Sequence, residues 1–530
     1  MVNYGKYNTT NDHAFNVCNA IIQCKKSGEN GIVFDKSEYH FYPDKASESM
    51  MCVSNNDIYG FRRVAFLLSD MDNFCIDGSG STFIFHGEIV PFFVNGSKNI
   101  TVKNVTMDYE KSCVLDLEVT QVNDKSFEAI VCDGEYCVEN GILKIERGLQ
   151  EKDSLYFIMI RTIGDSNNYV KGTDEEFIVK NPSIFVEDLS DGKLRISNCS
   201  LNVKEGMHLL AKGRDRHVCN IVVNKSTDIT LEDITMYSSY SMGVLCQMSR
   251  NITIDKMSVT AHKGRLFSLA ADATHFVNCT GLVKVSNSSF SDQLDDALNV
   301  HGIFTRITDV AQDYITVKYM HKSAKGIDIF GAGDKISVLN PKTLVGNRCY
   351  TIKNAEVINL NYTKLYLNEP TCDINVGEVV ESITNNCDVI FENNRVFRNR
   401  ARGILVATKG RVDIRNNYFN SSGSAINFES DGENWFESGG TTDVRIYGNT
   451  FENCCIGPIH WGSHVIQFVP RRESVDGMYY HGFISITDNN FISNAAPILY
   501  ADNIEELVFK NNTSDKELEY TAKRCGKIQL

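Results

Sequence analysis

The residues best placed to do chemistry are concentrated in one short span. Asp272-Ala-Thr-His275 is followed by Asp292-Gln-Leu-Asp295-Asp296-Ala-Leu-Asn299-Val-His301-Gly302. Hydrolysis of a glycosidic bond needs one carboxyl to give a proton and another to activate water. Asp272, Asp295 and Asp296 are the candidates for those roles. Crowding like charges raises at least one carboxyl pKa, which sets a protonated acid beside an ionised base near neutral pH. The plain alternative is a solvated turn, because Asp is common in turns and a lone Asp-Asp pair is a weak signal. Asp272 and Asp295 lie 23 residues apart, and that interval recurs elsewhere in the chain.

The recurrence is a short motif of apolar-x-apolar, a polar residue, Asn or Asp, and a further apolar residue. It appears at Ile229-Thr-Leu231, Ile252-Thr-Ile254, Val389-Ile-Phe391, Val412-Asp-Ile414, Val444-Arg-Ile446, Ile484-Ser-Ile486 and Leu507-Val-Phe509. Several neighbours are spaced by 23, the others by more, as loops between strands would make them. Short alternating strands at this period indicate a solenoid, each strand turning every second side chain inward. Asn or Asp at the turns, including Asn104, Asp233, Asn393, Asn416 and Asn511, tolerates left-handed backbone, and stacked Asn side chains can link the rungs. The pattern favours a right-handed parallel β-helix; a leucine-rich repeat would need a Leu consensus that is absent. On one face of such a solenoid, Asp272 and Asp295 would project from neighbouring rungs, with Asp296 reaching the same cleft at a bend and Asp292 preceding them in the turn.

Asn11-Asp12-His13 opens an amphipathic helix that would cap the sticky end of the stack. Two stretches break the repeat with hairpin-type strands and are expected to be inserted antiparallel β-barrels. The expected division is therefore 1–107 β-helix, 108–196 first barrel, 197–302 β-helix with the aspartates, 303–383 second barrel, and 384–530 β-helix.

Composition narrows the partners. A formal net charge of −14 over 530 residues argues against nucleic acid or an anionic membrane, and weakly against a polyanionic glycan. No run is long and apolar enough to insert in a membrane, and the first residues lack a signal-peptide core. The expectation is a bacterial protein, cytoplasmic if Met1 is native and secreted or periplasmic if a leader was trimmed. Cysteine number is odd, 17. Asn198-Cys199, Asn278-Cys279, Asn386-Cys387 and Asn453-Cys454 read as stacked core thiols rather than metal ligands.

The aspartate run resembles glycoside hydrolase family 110. So do Ile76-Asp-Gly-Ser-Gly80-Ser, Phe85-His-Gly87, Arg402-Gly-Ile-Leu-Val and Ser422-Gly-Ser-Ala-Ile with Asn434-Trp435-Phe-Glu437-Ser-Gly439. The likeness runs from about residue 10 to beyond 490. It implies a β-helix with two barrels and exo-acting α-1,3-galactosidase chemistry with inversion, without cofactor or metal. The substrates implied are blood group B-type glycans and, for some members, linear Galα1-3Gal. Carried over by position, Asp295 matches the proposed proton donor, and Asp272 and Asp296 match the carboxylates that hold the attacking water. Inverting enzymes separate their carboxyls by about 6.5–9.5 Å, while adjacent rungs lie only about 4.8 Å apart. Asp272 and Asp295 must therefore diverge, or Asp296 must be the base.

Sugar recognition needs a ring for stacking and polar partners for hydroxyls. Trp435, beside Glu429 and Asp431, and Glu437 are candidates, with Asp292, His275, Asn299, His301, Arg402 and Arg265 as further substrate-binding residues. Trp461, after His460, is the other tryptophan. The glycan partner expected is one ending in α-galactose, and the barrels offer surfaces for a homodimer. A polygalacturonase-type glycosidase, a calcium-assisted lyase and a non-catalytic glycan-binding solenoid are the competing classes. They are separated by activity on a neutral galactoside, by sensitivity to chelator, and by whether Asp295→Asn alters any chemistry.

Overall fold

The computed structural model describes the chain except for residues 57, 147–151, 163–168, 178–183, 199–202, 214–215, 217, 347, 470–472 and 474. Cys199 therefore lies outside the described residues. The architecture is a right-handed parallel β-helix, the hand that parallel crossovers take. One wall, built largely from the apolar-x-apolar strands, stacks in register from Val2–Asn3 to Lys527–Gln529. A second wall stacks Val90–Asn95, Ile221–Asn224, Val244–Gln247, Thr274–Val277, Leu298–Ile303, Ile404–Val406, Ile426–Glu429, Ile466–Val469 and Leu499–Asp502.

Alternation decides which residues fill the interior. Ile252, Ile254, Val283, Val285, Val389, Phe391, Val412, Ile414, Val444, Ile446, Ile484 and Ile486 are all buried in one core. Burying each such side chain contributes about 1.5–3 kcal/mol. Phe391, Phe419, Phe451 and Phe491 stack rung on rung, with ring centroids 6.1, 5.3 and 4.9 Å apart.

The turns use two adjacent residues for two jobs. Asn104, Asp233, Asn393, Asn416 and Asn511 take the left-handed conformation, with φ between 52° and 56°. The residue after each of the later turns builds the ladder. The Asn394 backbone N–H donates to Asn417 Oδ1 (2.9 Å), Asn417 to Asn449 (2.9 Å), Asn449 to Asn489 (3.0 Å) and Asn489 to Asn512 (3.1 Å).

The first rung is capped by the helix His13–Ser27. Asp12 accepts from the Ala14 N–H, and Gly28 ends the helix in the left-handed region. Ala14, Val17, Ala20, Ile21 and Cys24 form its buried face.

Two antiparallel units interrupt the stack. In the first, Val114–Asn123 lies between Ser126–Asp133 and His208–Gly213 in a nine-stranded sheet. The sheet continues past residue 196, because His208–Gly213 pairs with both Val114–Asn123 and Lys152–Thr162. Its two ends meet where the Val186 N–H donates to Gly141 O (2.9 Å). The second is a closed six-stranded barrel from Thr305–Val310 to Val379–Ser382, with Ile315, Val317, Ile336, Val338, Leu365 and Val380 in its core.

All described cysteines are free thiols, and Cys279, Cys387 and Cys454 are buried. Among the described residues no helix is long and apolar enough to cross a membrane.

Candidate active site

The second wall sets the floor of a cleft of about 300 Å³. Thr274 pairs with Leu298 and Leu298 with Ile404, so His275, Asn299 and Leu405 stand side by side on three consecutive rungs. All three line the cleft. The rung at this point is 24 residues, not 23. Followed back two residues, the register sets Asp272 against Asp296 rather than Asp295. The Ala273 N–H donates to Asp296 O (2.9 Å), and the Asp296 N–H points to Asp272 Oδ1 (3.3 Å). Arg402 stands one rung further. Its backbone N–H (2.8 Å) and Nε (3.1 Å) donate to Asp296 Oδ1, and Nη2 lies 2.9 Å from Oδ2. Asp272, Asp296 and Arg402 thus form a column, and Asp295 leaves it at the bend to line the cleft.

Carboxylate oxygens of Asp272, Asp295 and Asp296 all lie within 4.8 Å of one another, so at their nearest oxygens neither Asp272 nor Asp296 stands off from Asp295 by the roughly 6.5–9.5 Å expected of an inverting pair. One water hydrogen-bonded to two oxygens at about 2.8 Å each spans that distance. The three carboxyls could also hold a cation, but positive charge is already supplied by the chain. Arg216 Nη2 donates to Asp295 Oδ2 (3.0 Å), Arg400 donates to Leu294 O (2.7 Å), and Lys212 Nζ donates to Ala270 O. Asp116, Cys132 and His208, on the first insert, are the other group with ligand spacing among the described residues.

Burial pushes Asp272 up to about 7, helped by the charge of Asp295 and opposed by Arg216 and Arg402. Burial likewise raises Asp296, against the pull of Arg402. Burial acts on Asp295 in the same sense, but Arg216, then Arg400, Arg402 and Lys212, outweigh it and hold the carboxyl below the usual range. Asp295 is thereby held toward the ionised form, and the protons of the cluster lie toward the other two. That order is the reverse of the donor and base roles the resemblance implies.

Trp435, half exposed, and Trp461 both line the cleft, with Glu429, Asp431, Glu437, His460 and Asn55. Arg400 and Arg402 stack on the Trp461 ring at 4.7 and 5.4 Å. His321, from the second barrel, leans on Trp435 with ring centroids 4.8 Å apart. Asn299 Oδ1 is buried without a hydrogen-bond partner. Glu437 sits on a two-residue strand paired antiparallel with Gly302 and Ile303. A Cβ at Gly302 would come within 2.3 Å of Ser438 Oγ, so glycine permits this approach.

Three expected substrate-binding residues do not line the cleft. Asp292 turns to Arg398, which grips it through Nε (3.1 Å) and Nη2 (2.8 Å). Arg265 ties the first insert to the stack through Asp108 (3.0 Å) and Asp133 (3.2 Å). His301 is buried behind His275 rather than in the cleft wall. Arg216 and Lys212 escaped the sequence reading. They follow or end the last strand of an inserted sheet, where no repeat marks them.

A parallel solenoid carrying a carboxyl cluster in an aromatic-rimmed cleft defines a β-helical glycoside hydrolase. The comparisons agree. The α-1,3-galactosidase B of Akkermansia muciniphila is 31% identical over 510 residues, 93% of this chain; the chain spans 63% of that relative's length. The α-1,3-galactosidase B of Bacteroides thetaiotaomicron is 30% identical, covering 94% of this chain and 83% of its own length. The α-1,3-galactosidase A of Shewanella woodyi is 30% identical, covering 96% and 84%. A family model described as GLAA-B beta-barrel domain II matches residues 314–380, within the closed barrel. The chain belongs to glycoside hydrolase family 110, with these bacterial α-1,3-galactosidases.

Proposed function

We infer that this protein is an exo-acting α-1,3-galactosidase that removes terminal galactose from blood group B-type glycans and linear Galα1-3Gal, with inversion. The observation that carries the reading is the column Asp272–Asp296–Arg402 with Asp295 turned into the cleft beside it. Asp295 is the donor. To serve, its carboxyl must take up a proton against the hold of Arg216. Asp272 and Asp296 hold the attacking water across their shared span. Trp435 and Trp461 offer ring faces, while Asn299, Glu437 and Arg402 meet sugar hydroxyls. Glu429, Asp431 and Glu437 on the lining favour a neutral sugar over a uronate.

Proton NMR of a digest of B-type trisaccharide and of Galα1-3Gal tests this directly. β-Galactose is expected as the first product; α-galactose first would overturn inversion. Asp295→Asn and Asp272→Asn are each expected to lose about 10²–10⁴-fold in kcat. On an aryl α-galactoside whose phenol leaves without protonation, Asp295→Asn should recover most of its loss and Asp272→Asn should not. The opposite pattern would exchange their roles.

A further inference from the structure

Asp272 raises a question that the proposed function does not answer. It must be ionised to take a proton from water, yet burial raises its carboxyl, like that of Asp296, toward the protonated form. The structure shows where that proton can go. His275 Nδ1 lies 2.6 Å from Asp272 Oδ2, and His275 Nε2 lies 2.9 Å from His301 Nε2. His301 Nδ1 lies 2.6 Å from Gly302 O. His301 Nε2 is also 3.5 Å from Glu437 Oε1, which accepts from Asn55 Nδ2 (3.0 Å). The rings of His275 and His301 meet edge-on, with an interplanar angle of 88°. Both side chains are buried.

The end of the chain fixes its polarity. A carbonyl oxygen only accepts, so His301 Nδ1 must carry a hydrogen. Two nitrogens 2.9 Å apart then share one hydrogen between His275 Nε2 and His301 Nε2, and each position of that hydrogen dictates the rest. With it on His275, the neutral ring leaves its Nδ1 lone pair facing Asp272, and the carboxyl must supply the proton of that contact. With it on His301, that ring is a cation beside Glu437; His275 carries its single hydrogen on Nδ1 and donates it to an ionised Asp272.

We propose that Asp272, His275 and His301 form a proton wire that moves one proton between the catalytic carboxyl and the Glu437 end of the cleft. The transfer breaks the Asp272 O–H and the His275 Nε2–H bonds. It forms the His275 Nδ1–H and the His301 Nε2–H bonds, and no proton enters or leaves. It rests on the reading of Asp272 as a base, and it makes His275 and His301 positioning residues rather than sugar ligands.

The surroundings suit both ends. Asp272 is faced by Asp295, Arg216, Arg402 and Glu437, with Asp296 next to it in the column. His275 is faced by His301, Glu437, Arg216 and Asp295. Burial, with His301, drives His275 well below its ordinary value. It is therefore neutral in either arrangement, as a relay carrying one hydrogen at a time must be. Asp272, pushed up to about 7, has a proton that is mobile near neutrality.

Nitrogen NMR of the full chain with 15N-labelled histidine tests the wire without reference to activity. His275→Gln and His301→Gln serve to assign the signals. The expected result at neutral pH is a hydrogen on His301 Nδ1 and a neutral His275. Replacing Glu437 by Gln removes the charge that faces His301 and disfavours the arrangement with a cation there, so the His275 hydrogen should rest on Nε2. An imidazolium at 275, a bare Nδ1 at 301, or a His275 hydrogen resting on Nδ1 in Glu437→Gln would overturn the proposal. In kinetics, His301→Phe should move the acid limb of kcat/KM by half a pH unit or more. A loss of kcat equal at every pH, with the limb unmoved, would mean that His301 only packs. If the NMR result holds while Asp272→Asn retains full activity, the wire exists and the base assignment fails; the two readings are separable.

Discussion

At the scale of single residues, the site is governed by how four cations divide their attention among three acids. Arg216 donates to Asp295, whereas Arg402 is committed to Asp296. Replacing Arg216 with Met should let the Asp295 carboxyl rise. A donor with a higher pKa stays protonated further into the alkaline range, so the alkaline limb of kcat/KM should move to higher pH. A pH–rate profile of Arg216→Met checks this. Asp272 makes a prediction about stability. Its folded pKa of about 7 lies above the unfolded value, so the unfolded chain loses this proton first as pH rises. Stability from this group is fully present below about pH 4 and declines as pH climbs toward 7. Asp272→Asn should therefore be more stable than the parent at pH 8, by on the order of 1–4 kcal/mol, with the gain shrinking at pH 5. Denaturation midpoints at the two pH values measure it. The acids themselves were legible in the sequence because their spacing matched the repeat. Their pairing was not: the rung there is 24 residues, one more than the 23-residue spacing of the repeat, which turns Asp296, rather than Asp295, onto Asp272. Asp292 was misread because a turn carboxylate in sequence carries no sign of the arginine 106 residues on that holds it.

At the scale of elements, the asparagine ladder does for the turns what strand pairing does for the walls. Asn449 accepts the backbone N–H and the side-chain amide of Asn417 and donates to Ile414 O and Asn489 Oδ1. Asn449→Ala would leave several buried polar groups without partners, each costing about 1–3 kcal/mol. A drop in thermal or urea midpoint larger than that of an exposed control such as Asn490→Ala is expected. The strands, turns and capping helix could be read from periodicity because each obeys a local rule. The ladder could not be separated from the left-handed turn residue, since Asn occupies both adjacent positions. The return to the β-helix after the first insert was also hidden. His208–Gly213 alternates like any strand, and only its pairing with Val114–Asn123 shows which sheet owns it.

At the scale of the molecule, three bodies meet at the cleft. The β-helix supplies the acids, the first insert supplies Lys212 and Arg216 beside Asp295, and the closed barrel places His321 against Trp435. The overall charge of −14 surrounds a cleft whose cations are already engaged by carboxylates and carbonyls. A neutral galactoside gains nothing from long-range steering by such a surface. Its kcat/KM should stay within about twofold as ionic strength rises from 0.05 to 0.5 M. A steep salt dependence would point to an anionic substrate.

The column of Asp272, Asp296 and Arg402 also has a consequence for biogenesis. The guanidinium that balances Asp296 lies 106 residues later in the chain, with an entire barrel between them. At ribosomal speeds of about 5–20 residues per second, that gap lasts on the order of 5–20 s. Throughout that interval Asp296 lacks its guanidinium, while Arg216, synthesised earlier, is already present for Asp295, and a carboxyl buried unpaired keeps its proton. The column of Asp272, Asp296 and Arg402 is therefore completed only after translation has passed the second insertion, which makes it a late event in the birth of the molecule.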